Sequence, residues 1–142
     1  MNIALARYMS LDYGEKRIGL AIADPLGMIA SPAGFIQRRA GKRPPIAEIV
    51  RRAGSLEARG IVMGLPMDGD GDETDWTREV RMVGAELEKR TGLVVRFVDE
   101  RYTTAASLRA IREMGGSTRG RKGDVDSMAA ALMLQHVLNT ND

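Results

Sequence analysis

Residues Ser10 to Asp24 read Ser-Leu-Asp-Tyr-Gly-Glu-Lys-Arg-Ile-Gly-Leu-Ala-Ile-Ala-Asp, and this stretch decides the fold of the chain. Leucine and isoleucine residues alternate with small ones on both sides of Gly14, which is typical of two strands joined by a tight turn. Asp12 stands where the first strand gives way to the turn. Because a carboxylate lowers strand propensity at that point, we interpret Asp12 as a metal ligand whose co-ligands come from distant parts of the chain.

The whole chain has the composition of one compact globular domain. It has 142 residues, of which 44% are apolar and 28% charged, so we expect a single domain over residues 1–142. The absence of cysteine excludes disulfides and thiolate metal sites. We expect a cytoplasmic protein without a membrane partner, because no apolar run approaches about 20 residues and the N-terminus lacks a secretory pattern.

The net charge of +2 is distributed unevenly along the chain. Two segments, 38–52 and 101–122, are strongly basic, whereas the segment 68–75 is acidic. Basic clusters of this kind favour a polyanionic partner such as nucleic acid. Each cluster taken alone is equally consistent with ordinary solvated surface charge.

The apolar pattern predicts a mixed sheet. Three strands are expected at Ile3–Leu11, Arg17–Ala23 and Met28–Gln37, joined as an antiparallel meander. The remaining elements are predicted as a helix after Pro44-Pro45, a buried strand at Ile61–Met63, a helix from Thr74 or Asp75 to Gly92, a strand at Leu93–Val98, a helix capped by Thr103 or Thr104, a basic loop from Gly115 to Gly123, and a final helix at Val125–Leu138. This order predicts an α/β fold with a five-stranded mixed sheet and helices on both faces.

Three acids lie where such a sheet forms sites. Asp12 and Glu100 each lie at a strand end, and Asp126 lies in the first turn of the last predicted helix. Asp124 either caps that helix or acts as a fourth ligand. Converging carboxylates repel each other unless a cation neutralises them, and all-oxygen ligation selects Mg²⁺ or Mn²⁺. Two such ions about 4 Å apart can support phosphodiester cleavage without a protein nucleophile.

The acidic motifs resemble two other kinds of site. The spacing Asp68-x-Asp70-x-Asp72 imitates a calcium-binding EF-hand loop, but Glu73 stands where that loop needs glycine. We therefore interpret residues 67–75 as a mobile acidic loop near the site. Asp12-x-Gly14 followed by Gly19 resembles the first phosphate loop of the actin and sugar-kinase fold, so ATP binding is an alternative on that motif alone.

The joint pattern of motifs is more specific than any one of them. In order, the chain contains Asp12-Tyr13-Gly14 with Arg17-Ile18-Gly19, Gly64-Leu65-Pro66, Asp99-Glu100-Arg101 with Thr103-Thr104, and Lys122 through Val125-Asp126-Ser127. Together they resemble the YqgF family, also called RuvX, whose members are described as pre-16S ribosomal RNA nucleases or Holliday junction resolvases. The resemblance covers nearly the whole chain. It implies a ribonuclease H-like fold, a cytoplasmic role in ribosomal RNA 5′-end maturation, and Asp12, Glu100 and Asp126 as the catalytic acids.

The sequence thus predicts a metal-dependent endonuclease acting on structured RNA or branched DNA. The expected phosphate contacts are Lys16, Arg17, Arg101, Arg121 and Lys122, and Tyr13 and Tyr102 are the candidates for base stacking. The competing class is a non-catalytic nucleic-acid-binding factor for ribosome assembly. The oligomeric state is left undecided between a monomer and a homo-oligomer, because the sequence carries no clear dimer signature.

Overall fold

A mixed five-stranded sheet forms the centre of the protein. The computed structural model describes residues 6–39, 43–67, 69–99 and 122–140. Within them the elements are β1 (Tyr8–Tyr13), β2 (Arg17–Ala23), β3 (Ala30–Gln37), α1 (Ile46–Ser55), β4 (Gly60–Leu65), α2 (Asp75–Thr91), β5 (Val95–Asp99) and α3 (Lys122–Thr140). The predicted helix after Thr103 or Thr104 lies outside the described residues.

The strand order is β3-β2-β1-β4-β5. β1, β2 and β3 pair antiparallel, whereas β4 runs parallel to β1 and β5 runs parallel to β4. The predicted α/β class, the antiparallel meander and the five-stranded mixed sheet are therefore confirmed. Since β1, β4 and β5 run in one direction, their carboxyl ends meet at one edge of the sheet.

Helices cover both faces of the sheet. Helices α1 and α2 pack on one face, in a cluster that includes Met9, Leu11, Ile49, Ile61, Met63, Val80 and Leu87. Helix α3 packs on the other face, in a cluster that includes Tyr8, Ala21, Ala23, Val62, Ala130, Leu134 and Val137. Among the described helices, none combines the length and apolar character needed to cross a bilayer.

Strand β1 begins and ends later than predicted. Arg7 has a φ of 59°, a left-handed conformation that interrupts an extended strand, so β1 starts at Tyr8. At its other end, β1 continues through Tyr13. Asp12 consequently lies inside the strand rather than in the turn that follows it.

Side chains also shift the starts of two other strands. The Asp24 carboxylate accepts hydrogen bonds from the backbone N–H groups of Met28 (2.6 Å) and Ile29 (2.9 Å). This turn delays β3 from the predicted Met28 to Ala30. At β5, the Thr91 hydroxyl accepts a hydrogen bond of 3.1 Å from Leu93 N–H, and the strand begins at Val95 rather than Leu93.

Helix α2 has the two end signals that the sequence predicts. The Thr74 hydroxyl accepts a hydrogen bond from Thr77 N–H (3.2 Å), and the Thr77 hydroxyl accepts one from Thr74 N–H (3.1 Å). This reciprocal pair satisfies two backbone donors that an uncapped helix start leaves free. At the other end, Gly92 adopts a left-handed conformation with φ of 73°, which terminates the helix.

A glycine allows α2 to approach the sheet closely. A Cβ atom added to Gly84 would lie 2.5 Å from the ring of Phe97, whereas one added to Gly54 in α1 would meet nothing within 4 Å. Alanine normally stabilises a helix relative to glycine by about 1 kcal/mol. We therefore expect Gly54→Ala to raise the melting temperature and Gly84→Ala to lower it, because overpacking costs about 1–3 kcal/mol. Thermal unfolding by circular dichroism compares the two; a stabilised Gly84→Ala protein would contradict the close packing of α2 on β5.

Candidate active site

Asp12 lies on the face of the sheet that α3 covers. Side chains of a strand alternate between faces, so Asp12 shares its face with Tyr8 and Ser10. Tyr8 packs against α3, whereas Met9 and Leu11 pack toward α1 and α2. Only 3% of the Asp12 surface is exposed. A buried carboxylate in a central strand needs compensating partners, because desolvating a charge is costly.

Asp126 lies in the second turn of α3, not in its first. The helix begins at Lys122 rather than at Val125, so Lys122 and Gly123 are helical where a loop was predicted. The prediction that Asp126 benefits from a first-turn position is wrong, since the helix-dipole effect falls off beyond that turn. The predicted capping role of Asp124 is also wrong, because this residue lies inside the helix. Asp126 is 2% exposed, so the packing of α3 against the sheet determines the position of its side chain.

Gly19 brings Asp12 and Asp126 to neighbouring positions. Asp12 and Gly19 are directly opposite each other in the antiparallel pair of β1 and β2. A Cβ atom added to Gly19 would lie 2.0 Å from the carbonyl oxygen of Asp126 and 2.9 Å from the nitrogen of Ser127. The backbone of α3 thus rests on β2 at the one position that has no side chain. This contact puts both carboxylates on the same face at the same end of the sheet.

A buried hydroxyl fixes α3 along β1. The Ser10 Oγ donates a hydrogen bond of 2.7 Å to the carbonyl oxygen of Ala130. Ser10 precedes Asp12 by two positions on the same face, and Ala130 follows Asp126 by about one helical turn. Helix α3 therefore runs opposite to β1, and the Ser10 contact sets which turn of the helix faces Asp12.

Arg17 forms a buried ion pair with Asp126. Its Nε donates to the Asp126 Oδ2 at 2.8 Å, and the two side chains are 14% and 2% exposed. A buried carboxylate is tolerated when a charge and a hydrogen bond compensate it. The guanidinium of Arg17 is thus directed at a proposed metal ligand, while its role as a phosphate contact stays a prediction.

Arg38, the residue that follows β3, fixes the turn between β1 and β2. Gly14 N–H donates to the Arg17 carbonyl at 3.1 Å, and a Cβ on Gly14 would lie 2.6 Å from that oxygen. Arg38 donates from its side chain to the Gly14 carbonyl (2.9 Å) and from its backbone to the Lys16 carbonyl (2.8 Å). These contacts leave the Lys16 side chain exposed at the tip of the turn.

Tyr13 occupies the face opposite Asp12 and is 4% exposed. The guanidinium carbon of Arg38 lies 4.9 Å from the centre of its ring, and the Trp76 ring centre lies 5.4 Å away. Its hydroxyl donates to Glu79 at 3.3 Å, and burial raises the pKa of the Tyr13 phenol well above its usual range. The predicted stacking of a base on Tyr13 is therefore wrong, because the ring is already enclosed.

Several predicted site residues lie outside the residues that the structure describes. Glu100, Arg101, Tyr102 and Arg121 are outside the described residues, and the side chains of Lys122 and Asp124 are outside them as well. Asp99, which precedes Glu100, is the last residue of β5 and pairs with Leu65 of β4. Among the described residues, no group of three or more potential metal ligands is found.

Sequence reasoning missed three residues that build the site. Gly19 was noted as part of a motif, although a glycine inside a strand pattern is itself a signal of close backbone approach. Ser10 is a polar residue on a face that turns out to be buried, a weaker signal. For Arg38, no local signal distinguishes it from the other arginines of its basic segment.

Comparison with known proteins places the chain in a family. Its residues 6–140 match the family model described as RuvX, Holliday junction resolvase. A protein of Maridesulfovibrio salexigens is 36% identical over 91% of this chain and 95% of its own length, and one of Anaeromyxobacter is 38% identical over 91% and 93%. Both carry the name "Putative pre-16S rRNA nuclease".

Solved structures agree with the fold. RuvC of Thermus thermophilus in complex with a Holliday junction substrate superposes with a TM-score of 0.57, at 12% identity over 95% of this chain and 97% of that one. A second Thermus thermophilus RuvC structure gives a TM-score of 0.55 at 13% identity over 92% and 93%. These likenesses concern the architecture and confirm the predicted ribonuclease H-like fold. Family model, relatives and fold together identify this chain as a member of the RuvX family.

Proposed function

We propose that this protein is a divalent-metal-dependent endonuclease that matures the 5′ end of 16S ribosomal RNA, with Asp12, Glu100 and Asp126 as the metal ligands. The observation that carries the proposal is that two buried acids meet at Gly19: Asp12 (3% exposed) is its cross-strand partner, and the backbone of Asp126 (2% exposed) lies against it. Membership of the RuvX family supports a hydrolase that acts on phosphodiester bonds.

The donor set fits a hard cation. Asp12 and Asp126 supply carboxylate oxygens, and cysteine is absent from the whole chain. Oxygen ligands of this kind suit Mg²⁺ or Mn²⁺ and not a soft metal. Asp124 stays a candidate ligand on the sequence alone, because residues two apart in a helix do not share a face. When bound, the metal supplies an activated water and stabilises the charge of the leaving oxygen.

The chain itself orients the ligands and attracts the substrate. The backbone pairing of β1 with β2 and β4 holds Asp12 in a central strand, and the contact with Gly19 holds the Asp126 backbone against β2. Rigid placement of this kind is what metal catalysis requires of the protein. Lys16, exposed at the adjacent turn, is a proposed contact to the phosphate backbone, together with Arg17, Arg101, Arg121 and Lys122.

The proposed substrate follows relatives of clear sequence identity and not the solved structures, whose identity is low. Proteins 36% and 38% identical over 91% of this chain are named as pre-16S rRNA nucleases. RuvC, which is named with a Holliday junction, is 12% identical and supports the fold alone. We therefore propose ribosomal RNA as the substrate ahead of a four-way DNA junction. Location in the cytoplasm and a single nuclease domain over residues 1–142 belong to the same proposal.

A cleavage assay tests this function. Purified protein is incubated with precursor 16S ribosomal RNA and, separately, with a four-way DNA junction, each with Mn²⁺ and with a chelator. We expect a discrete RNA product that requires Mn²⁺ and leaves the junction intact. Cleavage of the junction alone would assign DNA as the substrate. Salt-sensitive binding without any metal-dependent product would instead support a non-catalytic assembly factor.

A further inference from the structure

We propose that Arg17 is a positioning residue that occupies the Asp126 carboxylate in the metal-free protein and yields it to the divalent cation. Arg17 then acts as an exchangeable counter-ion inside the site, in addition to any contact with phosphate. This inference rests on the proposed function, since it assigns Asp126 to the metal. It goes further by naming the group with which the metal competes.

The geometry of the pair carries the argument. Arg17 is the first residue of β2 and precedes Gly19, the contact point of α3, by two positions on the same face. Its Nε reaches the Asp126 Oδ2 at 2.8 Å, a charge-assisted hydrogen bond of ordinary length. Because the strand anchors one partner and the packed helix anchors the other, the pair is defined by the fold and not by chance surface contact.

Charge balance explains why the pair must change when a cation enters. Asp12 and Asp126 are both buried, and the Arg17 guanidinium forms an ion pair with Asp126. A divalent cation held by these carboxylates would supply positive charge to Asp126, and the Arg17 charge on the same carboxylate would then be repelled. Like charges within about 4–6 Å disfavour each other, so the guanidinium weakens metal binding as long as it stays.

The partial exposure of Arg17 allows its guanidinium to move from Asp126 toward solvent. The Arg17 side chain is 14% exposed, whereas that of Asp126 is 2% exposed, so the guanidinium is the partner that borders solvent. Arg17 also begins the strand that follows the exposed turn containing Lys16. A released guanidinium therefore enters the same region as a side chain proposed to contact phosphate.

The experiment compares wild-type protein with Arg17→Gln, Arg17→Lys and Arg90→Gln. Arg90 pairs with Glu86 on the outside of α2, where the two side chains are 50% and 39% exposed, so Arg90→Gln removes one positive charge far from the site. Thermal unfolding in chelator measures the stability of the metal-free state. Isothermal titration calorimetry with Mn²⁺ measures affinity without reference to catalysis.

Arg17→Gln is expected to lower the melting temperature in chelator by at least about 5 °C, because it removes an ion pair from a buried carboxylate. The same variant is expected to bind Mn²⁺ about tenfold more tightly, since the competing cation is gone. Saturating Mn²⁺ should then raise its melting temperature by more than it raises that of wild type. Arg17→Lys should restore the wild-type affinity in part, and Arg90→Gln should change neither quantity.

The outcomes separate this inference from the proposed function. If Arg17→Gln loses stability but binds Mn²⁺ with unchanged or weaker affinity, Arg17 is a structural ion-pair partner and the exchange is refuted. If wild type binds Mn²⁺ and cleaves RNA while Arg17→Gln is unaltered in stability and affinity, the exchange fails and the nuclease function stands. If wild type binds no Mn²⁺, the proposed metal site fails and the exchange fails with it.

Discussion

Asp12→Asn is expected to lose metal-dependent cleavage by at least about 1,000-fold while the protein stays folded. Asparagine has nearly the shape of aspartate, and Asp12 is enclosed on a central strand at 3% exposure, so packing is preserved. What is lost is the charge of one proposed ligand. A metal that contributes several kcal/mol to the transition state accounts for a loss of this size, since each 1.36 kcal/mol is tenfold in rate.

The matched control is Asp75→Asn. Asp75 begins α2, has a fully exposed side chain and pairs with Arg78, so the same change of atoms is made at an exposed position outside the proposed ligand set. We expect Asp75→Asn to cleave at the wild-type rate. Initial rates with and without Mn²⁺, together with circular dichroism spectra, make the comparison. Wild-type cleavage by a folded Asp12→Asn protein would remove Asp12 from the mechanism.

Gly19→Ala is expected to have the second largest effect on stability and cleavage. It acts by displacing α3 and leaves the charges of the site unchanged. The added Cβ would lie 2.0 Å from the Asp126 carbonyl oxygen and 2.3 Å from its carbonyl carbon, so α3 must move away from β2. Both atoms belong to the backbone of a packed helix and have no rotamer with which to avoid the contact. We expect the free energy of unfolding to fall by about 3 kcal/mol, as overpacking of a core does.

The displacement of α3 in Gly19→Ala should also lower the cleavage rate. Asp126 moves with the helix while Asp12 stays in the sheet, so the distance between the two carboxylates changes. A misplacement of about 1 Å can cost about 100-fold in rate. Cleavage is measured well below the melting temperature of the variant, and Mn²⁺ affinity is measured by calorimetry in parallel.

Gly69→Ala serves as the control for this variant. A Cβ added to Gly69 meets nothing within 4 Å, so the same substitution is made without any clash. Its melting temperature and cleavage rate should equal those of wild type. If Gly19→Ala keeps the wild-type stability and rate, then β2 and α3 do not touch at Gly19 as described, and the approach of Asp126 to Asp12 fails with it.

The two substitutions report on different parts of one arrangement. Asp12→Asn changes the ligand and leaves the scaffold, whereas Gly19→Ala leaves both ligands and shifts the scaffold. Loss of Mn²⁺ binding in both would support a site shared by β1 and α3. Loss in Asp12→Asn alone would mean that the cation does not depend on Asp126.

Within the described residues, the sequence by itself determined the elements and their order. The antiparallel β1–β2–β3 meander, the capped start of α2 at Thr74 and its end at Gly92 were all predicted, because each depends on residues close together in the chain. Alternation along a strand also places Ser10 and Asp12 on one face. Motifs spread over the chain pointed to the RuvX family, which the comparisons confirm.

Only the tertiary structure decided how the acids are arranged and what surrounds them. Helix α3 begins at Lys122, earlier than predicted. Its backbone contacts Gly19, and its Asp126 pairs with Arg17, so both contacts join residues about a hundred positions apart. Tyr13, a neighbour of Asp12 in sequence, turned out to face Arg38 and Trp76 on the opposite side of the sheet. Local propensity carries no information about such contacts, because the energy that selects them comes from packing and charge compensation between elements that meet only in the folded chain.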